Sequence, residues 1–443
     1  MVKYFVRYVC VYGLLLVLSN CAKNEIPMTS PVGEETQIPS PEPTPEVPKA
    51  PIYEVYFTVN TFPNYNSDLS DDWIIIHDEQ GKLLEYRPFE SGDQLLFERD
   101  SDSLPEFFTV SRLQYSFNET SKYFEINTSC KTAQKSELNL GSNYVSNIEP
   151  LTKTGDFDIT INNIPVPPGK ASPIKDIVST KIGRLGGVSS GSAINGLSKL
   201  IKTTAKYEKV EDYIVTILDG NDNLRYYNFQ NALSQDITVD YSNAFQNFDT
   251  YLNVYLPTYS SYNMNIAGFE DGQVFDQNGG YWLHNIISVI DDEIKTAPLI
   301  IGYLDKFKRY RTQFNISMAD YNYYISQYGD PLLEIVIPEK PNMTITDQSI
   351  ENFRFQIDID FLSAGQRWEY KEGAFETNDY SQTRWSIEVP YGYEQYIGEI
   401  PDEILEKYPT ININKLQFKQ TSLNLPMAQS EYFSSQGITI YNQ

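Results

Sequence analysis

Two stretches of this chain match at a constant offset of 140 residues: DDWIIIHDEQGKLLEYRPF (71–89) and EDYIVTILDGNDNLRYYNF (211–229). Identities fall at Asp72/Asp212, Ile74/Ile214, Leu84/Leu224, Tyr86/Tyr226 and Phe89/Phe229. A looser match follows, FFTVSRL (107–113) against FDTYLNV (248–254). In each copy a β-branched run predicts a strand, a Gly/Asn/Asp cluster a turn, and a second alternating run the return strand. Gly and Asn in DEQGK (78–82) and DGNDN (219–223) tolerate the positive φ of tight hairpin turns. A period this long exceeds any solenoid unit and fits duplicated domains. Chance similarity of two hairpins is the simpler alternative.

Other runs alternate with period two. They are YEVYFTV (53–59), DQLLFERD (93–100), YFEINTS (123–129), FDITINNIPV (157–166), RTQFNIS (311–317) and LLEIVIP (332–338). Short strands broken by Gly, Pro and Asn predict an all-β chain of tandem antiparallel sandwiches of immunoglobulin-like type. The predicted modules are 52–168, 207–340 as its repeat, and a C-terminal β-rich unit over 341–443. The last holds NFRFQIDIDFL (352–362), TRWSIEVPYG (383–392) and TININKLQF (410–418). One short helix is predicted at 401–408, with Pro401 at its first position and Lys407 in its last turn. The Gly- and Ser-rich stretch 169–206 reads as a long connection with a short helix at its end.

The amino terminus reads as an address. Lys3 and Arg7 precede an apolar run, Tyr8 to Leu18, that is too short to span a bilayer, where about 20 residues are needed. It ends in Leu18-Ser19-Asn20-Cys21. That ending resembles the lipobox of bacterial lipoproteins, in which the cysteine is acylated and becomes the first mature residue. The resemblance covers residues 1–21 and implies lipid attachment at Cys21. Ala22 follows in place of the Asp that retains such proteins at the inner membrane, so an outer-membrane, surface-exposed location is expected. Residues 22–51 are rich in Pro, Glu, Ser and Thr and cannot pack a core. They are expected to form a disordered tether of about 3 Å per residue, up to about 90 Å long. In style the chain resembles surface lipoproteins of Bacteroidota.

Net charge is −25, which repels phosphate backbones and excludes nucleic acid as a partner. Of the cysteines Cys10, Cys21 and Cys130, the last has no partner once Cys21 carries lipid, and a small buried thiol is the plain reading. Gly187-Val188-Ser189-Ser190-Gly191 fits GxSxG formally but lacks a preceding hydrophobic strand. With His77 and His284 as the only histidines, bases and imidazole ligands are scarce. Asp358 and Asp360 alternate with isoleucines and read as one strand's solvent face. No catalytic residue, cofactor or metal is therefore assigned, and no enzyme is expected. Calcium is the one ion left open, at Asp219, Asn221, Asp222 and Asn223 or at Glu270, Asp271, Asp276 and Asn278. The first run lacks the Gly that an EF-hand needs, and turns explain both.

The remaining feature is aromatic density: 34 Tyr and 23 Phe against 4 Trp. Rings beside amides and acids suit sugar faces and hydroxyls, or protein surfaces. Trp282, Tyr281, Tyr259, Tyr262, Tyr323 and Tyr324 are the candidate ligand contacts, although alternating Tyr also simply covers sheets. The expected function is a non-catalytic, lipid-anchored surface protein binding an extracellular glycan or other polymer. The alternatives are a structural or adhesive subunit of a surface appendage or envelope complex, and an exported hydrolase. Replacing Cys21 by Ala is expected to abolish incorporation of radiolabelled palmitate in growing cells, and labelling that survives would refute the lipid anchor.

Overall fold

The run Trp73-Ile74-Ile75-Ile76 shows no polar alternation because its strand is covered on both faces. In the computed structural model, Ile74 and Ile76 point into one core and Trp73 and Ile75 into another. The structure describes residues 52–62, 70–118, 121–132, 136–141, 152–166, 175–185, 189–209, 211–221, 223–230, 235–273, 279–289, 298–350, 353–373, 380–393, 397–427 and 434–442. The chain divides into residues 1–50 and 51–443, and every described element belongs to the second part. The expected leader, Cys21 and the Pro-rich tether lie outside the described residues.

The first sandwich comprises β1 (Tyr53–Thr61), β2 (Ser70–His77), β3 (Leu83–Phe89), β4 (Gln94–Asp100), β5 (Phe107–Asn118), β6 (Ser121–Thr132) and β7 (Ser136–Leu140). Its outer sheet runs β4-β1-β7 and its inner leaf β3-β2-β5-β6. Tyr56, Phe57, Val59 and Phe97 from the outer sheet meet Ile74, Ile76, Phe108 and Val110 from the inner leaf. Fully burying each such side chain contributes roughly 1.5–3 kcal/mol.

The second sandwich comprises β8 (Lys153–Pro165), β9 (Lys175–Thr180), β10 (Gly183–Arg184), β11 (Ser189–Ile194), β12 (Leu197–Tyr207), β13 (Asp212–Leu218), β14 (Leu224–Gln230) and β15 (Ile237–Asp240). A short helix, α1 (Tyr241–Ala244), and β16 (Gln246–Asn247) follow. The two sheets are β11-β12-β8-β15 and β10-β9-β13-β14-β16. This wiring repeats that of the first sandwich. In both, the opening strand pairs antiparallel with β4 or β12 and parallel with the closing strand, β7 or β15.

The third sandwich comprises β17 (Thr250–Val254), β18 (Ser261–Phe269), β19 (Tyr281–Val289), β20 (Leu299–Tyr303), β21 (Arg309–Ser317) and β22 (Tyr321–Gly329). Its leaf, β19-β18-β21-β22, follows the same order, but among the described strands its outer sheet holds only β17-β20. The C-terminal unit comprises β23 (Met343–Asp347), β24 (Arg354–Ile357), β25 (Ser363–Glu372), β26 (Tyr380–Pro390), α2 (Asp402–Lys407), β27 (Gln417–Asn424) and β28 (Ser434–Tyr441). The leaves of the first, third and C-terminal units join edge to edge into a 12-stranded sheet, β19-β18-β21-β22-β28-β27-β25-β26-β6-β5-β2-β3. Around α2, Ile400, Ile404, Tyr408 and Leu416 cover Trp73, Leu113 and Trp385 on the second face of that sheet.

The fold is thus all-β and built of sandwiches, and several finer expectations change. An immunoglobulin sandwich places its first strand in one sheet with its second, fourth and fifth; here the first strand shares a sheet with the fourth and seventh. The segment 169–206 is not an irregular connection ending in a helix. It carries β9 to β12, whose short or Gly- and Ser-rich strands hide their alternation. The matched stretches are both hairpins, β2–β3 and β13–β14, yet they are non-equivalent. In the shared wiring β13–β14 is equivalent to β5–β6, and the counterpart of β2–β3 is β9–β10. Their likeness is local: Asp78 accepts the amides of Gln80 and Lys82 (3.0 and 2.8 Å), and Asp219 those of Asn221 and Asn223 (2.8 and 3.0 Å). Of 352–362 only Arg354–Ile357 is strand, and of 410–418 only the end. The helix starts at Asp402 with Pro401 as its cap.

Gly398 holds the segment before α2 against β2. A Cβ there would fall inside the ring of His77, which is buried and bonded through Nε2 to the Glu399 carbonyl at 2.7 Å. Gly398→Ala is expected to cost about 1–3 kcal/mol, the range for overpacking, read as a lowered thermal midpoint.

Candidate functional site

The aromatic residues singled out in the sequence do not form a surface. Tyr281, Tyr259 and Tyr323 are 1%, 7% and 2% exposed and belong to the core of the third sandwich. Tyr281 packs against Phe307 with ring centroids 5.3 Å apart, and burial raises its phenol far above the usual range. Burial likewise pushes the Tyr323 phenol up to about 12. Tyr262 stands edge-on to Tyr259 at 5.3 Å. Trp282 is half-buried beneath the Arg311 guanidinium, 4.8 Å from its ring, and its carbonyl accepts from Ser179 on β9. Tyr324 leaves the opposite face of β22 and donates to Asn424 Oδ1 at 2.8 Å. Rings packed into a core cannot stack on a sugar, so Tyr281, Tyr259 and Tyr323 are corrected from ligand contacts to packing groups; Trp282, Tyr262 and Tyr324 are half-buried and held by the neighbours named above.

The other candidates are also placed. Gly187 and Val188 lie outside the described residues, and Ser189 sits within β11 paired to β12, not on a strand-to-helix turn. Cys130 lies on β6 opposite Thr109. Asp219 is taken up by its turn and by the Tyr241 hydroxyl at 3.1 Å. Asp222, Asp276 and Asn278 lie outside the described residues. No cluster of three His, Cys, Asp or Glu suited to a metal occurs among the described residues. Asp358 follows β24 and accepts from the Asn342 amide at 2.9 Å.

What the fold leaves open is an edge. In the first two sandwiches a closing strand pairs in parallel with the opening strand. In the third, β17 pairs with β20 and with no other described strand. The residues that follow β22, 332–338, are expected as a strand but form none: the chain bends at Leu333, with Ile335 buried and Leu332 and Ile337 packed on the core. They return along β22: the Leu332 backbone lies beside the Tyr303 hydroxyl, and the Tyr321 hydroxyl donates to the Pro338 carbonyl at 3.0 Å. Yet they join no ladder, and no backbone–backbone hydrogen bond links them to another described residue. Leu333 and Val336 point outward, 84% and 64% exposed. Tyr251 and Tyr255, on and just after β17, are 40% and 78% exposed. The segment is a strand in sequence that lacks a partner in the sheet. Period-two alternation found it, but alternation carries no information on whether a neighbour exists.

A second outer edge, β7, overlooks a cavity of about 420 Å³. Leu138 and Leu140 line one side of it and the small residues Gly365, Ser386 and Ser422 the other.

Both histidines are structural. His284 Nε2 lies 2.9 Å from the Gly302 amide nitrogen and 3.3 Å from its carbonyl oxygen, and Phe248 stacks on the ring at 6.0 Å. Burial lowers its pKa from 6.5 to about 4. The unfolded chain therefore binds more protons between those values, and the stability present above pH 6.5 falls as pH drops toward 4. The slope is about 1.4 kcal/mol per pH unit. His77 adds to it, since burial lowers its pKa too. The thermal midpoint is expected to fall between pH 7 and pH 5, and by less in His284→Gln.

No protein-family model matches this chain, and no curated protein matches it, so the chemistry of these edges rests on their own residues.

Proposed function

We propose that this chain is an exported, lipid-anchored surface protein that acts without catalysis, as a structural or adhesive subunit of a surface assembly. A partner polypeptide would add a strand to the third sandwich. The observation that carries this reading is β17, which pairs with β20 and with no other described strand, together with the segment 332–338, which joins no ladder among the described residues. Unpaired N–H and C=O groups on an extended segment form a template for another strand, and stable proteins ordinarily blunt or cover such edges. Here two exposed aliphatic side chains mark it instead. The first two sandwiches indicate what fills that position, because β7 and β15 fill it there. Main-chain hydrogen bonds would supply affinity and the outward Leu333 and Val336 specificity. The leader ending at Cys21 and the Pro-rich residues 22–51 support display beyond the membrane headgroups.

Leu333→Cys, probed on intact cells with a short thiol cross-linker, is expected to yield an adduct with a second polypeptide. The same substitution at the exposed Leu197, on a strand already paired on both sides, should yield none. Leu333→Asp with Val336→Asp should abolish the assembly while changing stability by no more than about 0.5 kcal/mol, as exposed positions do. Equal adducts at both positions, or assembly untouched by the two aspartates, would remove the reading.

A further inference from the structure

A cavity of about 190 Å³ opens beside the β25–β26 hairpin of the C-terminal unit. Aromatic rings make its walls. Tyr391 and Tyr393 flank Gly392, which adopts φ +88° in the turn that follows β26. They are 69% and 44% exposed. Each is braced by a second ring at a near right angle: Phe361 against Tyr391 (5.1 Å, 84°) and Phe107 against Tyr393 (5.3 Å, 86°). The Tyr391 amide is fixed to the Leu362 carbonyl at 2.9 Å. These exposed rings are therefore held in place by their surroundings.

A buried polar group lies in the same cavity. Gln366 shares the face of β25 with Ala364 and Trp368, lines the cavity and is only 6% exposed. Its side-chain Oε1 is buried without a hydrogen-bond partner. A buried amide oxygen left unpaired is unfavourable, so an occupant that donates to it is expected to bind about tenfold more tightly than one that does not.

The geometry points to a binding site for a single sugar residue, the end or branch of a glycan. Its C–H face lies on Tyr391 and Tyr393, and one hydroxyl bonds to Gln366. An apolar side chain or a proline ring would suit the tyrosines but brings no donor for the amide. A hydroxyl both donates and accepts, so it satisfies Gln366 in either orientation of the amide. The volume falls below the roughly 300–1,000 Å³ that encloses drug-sized ligands, which limits the enclosed part to about one ring.

The test is affinity electrophoresis of the purified protein in native gels cast with yeast mannan, glycogen or arabinogalactan. Retardation by at least one is expected. Tyr391→Ala should abolish it. Gln366→Leu should weaken it about tenfold, the worth of one hydrogen bond, without lowering the thermal midpoint, because it replaces an unpaired buried polar group by an apolar one. No retardation in any of the three gels overturns the site. So does retardation unchanged in both variants, or a Gln366→Leu variant that loses binding and stability together. The paired aspartates at 333 and 336 should retain full retardation, so the sugar site and the assembly edge succeed or fail separately.

Discussion

The parallel ladder between β6 and β26 holds the two ends of the sequence together. It pairs Ser121–Ser129 with Tyr380–Glu388 through nine register positions. Without it the 12-stranded sheet would be two sheets, and the layer around α2 would lose half its floor. Ile404 and Tyr408 rest on Trp73 and Leu113 from the first sandwich as well as on Trp385 from the C-terminal unit. The Trp73 indole donates to the Tyr408 hydroxyl at 3.3 Å across that junction. Open sheets rarely exceed about ten strands; this one does so because it is three four-stranded leaves joined at their margins.

Much of the strand content could be read from alternation, and its pairing could not. YEVYFTV, DQLLFERD and RTQFNIS are strands where expected. The duplicated architecture was also legible, but in the wrong register. β2 and β13 look alike because each is a nearly all-buried strand leading to an aspartate-held turn and a half-exposed return. That physics recurs at non-equivalent places in the first and second sandwiches. β11, with the sequence SSGSAI, has too few apolar residues to announce itself. Its ladder to β12 makes it a strand.

The aromatic residues divide the same way. A tyrosine can be core or surface, since its hydroxyl finds partners inside, as Tyr323 does with Gln436 at 3.3 Å. Composition therefore could not separate Tyr281, 1% exposed, from Tyr391, 69% exposed. Tyr391 and Tyr393 stand on either side of Gly392 in the sequence. Gln366 and Phe361 reach the same cavity from elsewhere in the chain, and only tertiary structure brings them together.

The junction of β6 with β26 also imposes a schedule. Ser129 and its eventual neighbour Glu388 stand 259 residues apart. At roughly 5–20 residues per second of synthesis, about 13–50 s pass before the second strand exists. Throughout that interval one side of β6 is bare, a 12-residue row of donors and acceptors on a nascent chain rich in other pairing-competent segments. Such a polypeptide needs an escort, or a slow passage, to keep its early half from closing on the wrong neighbour.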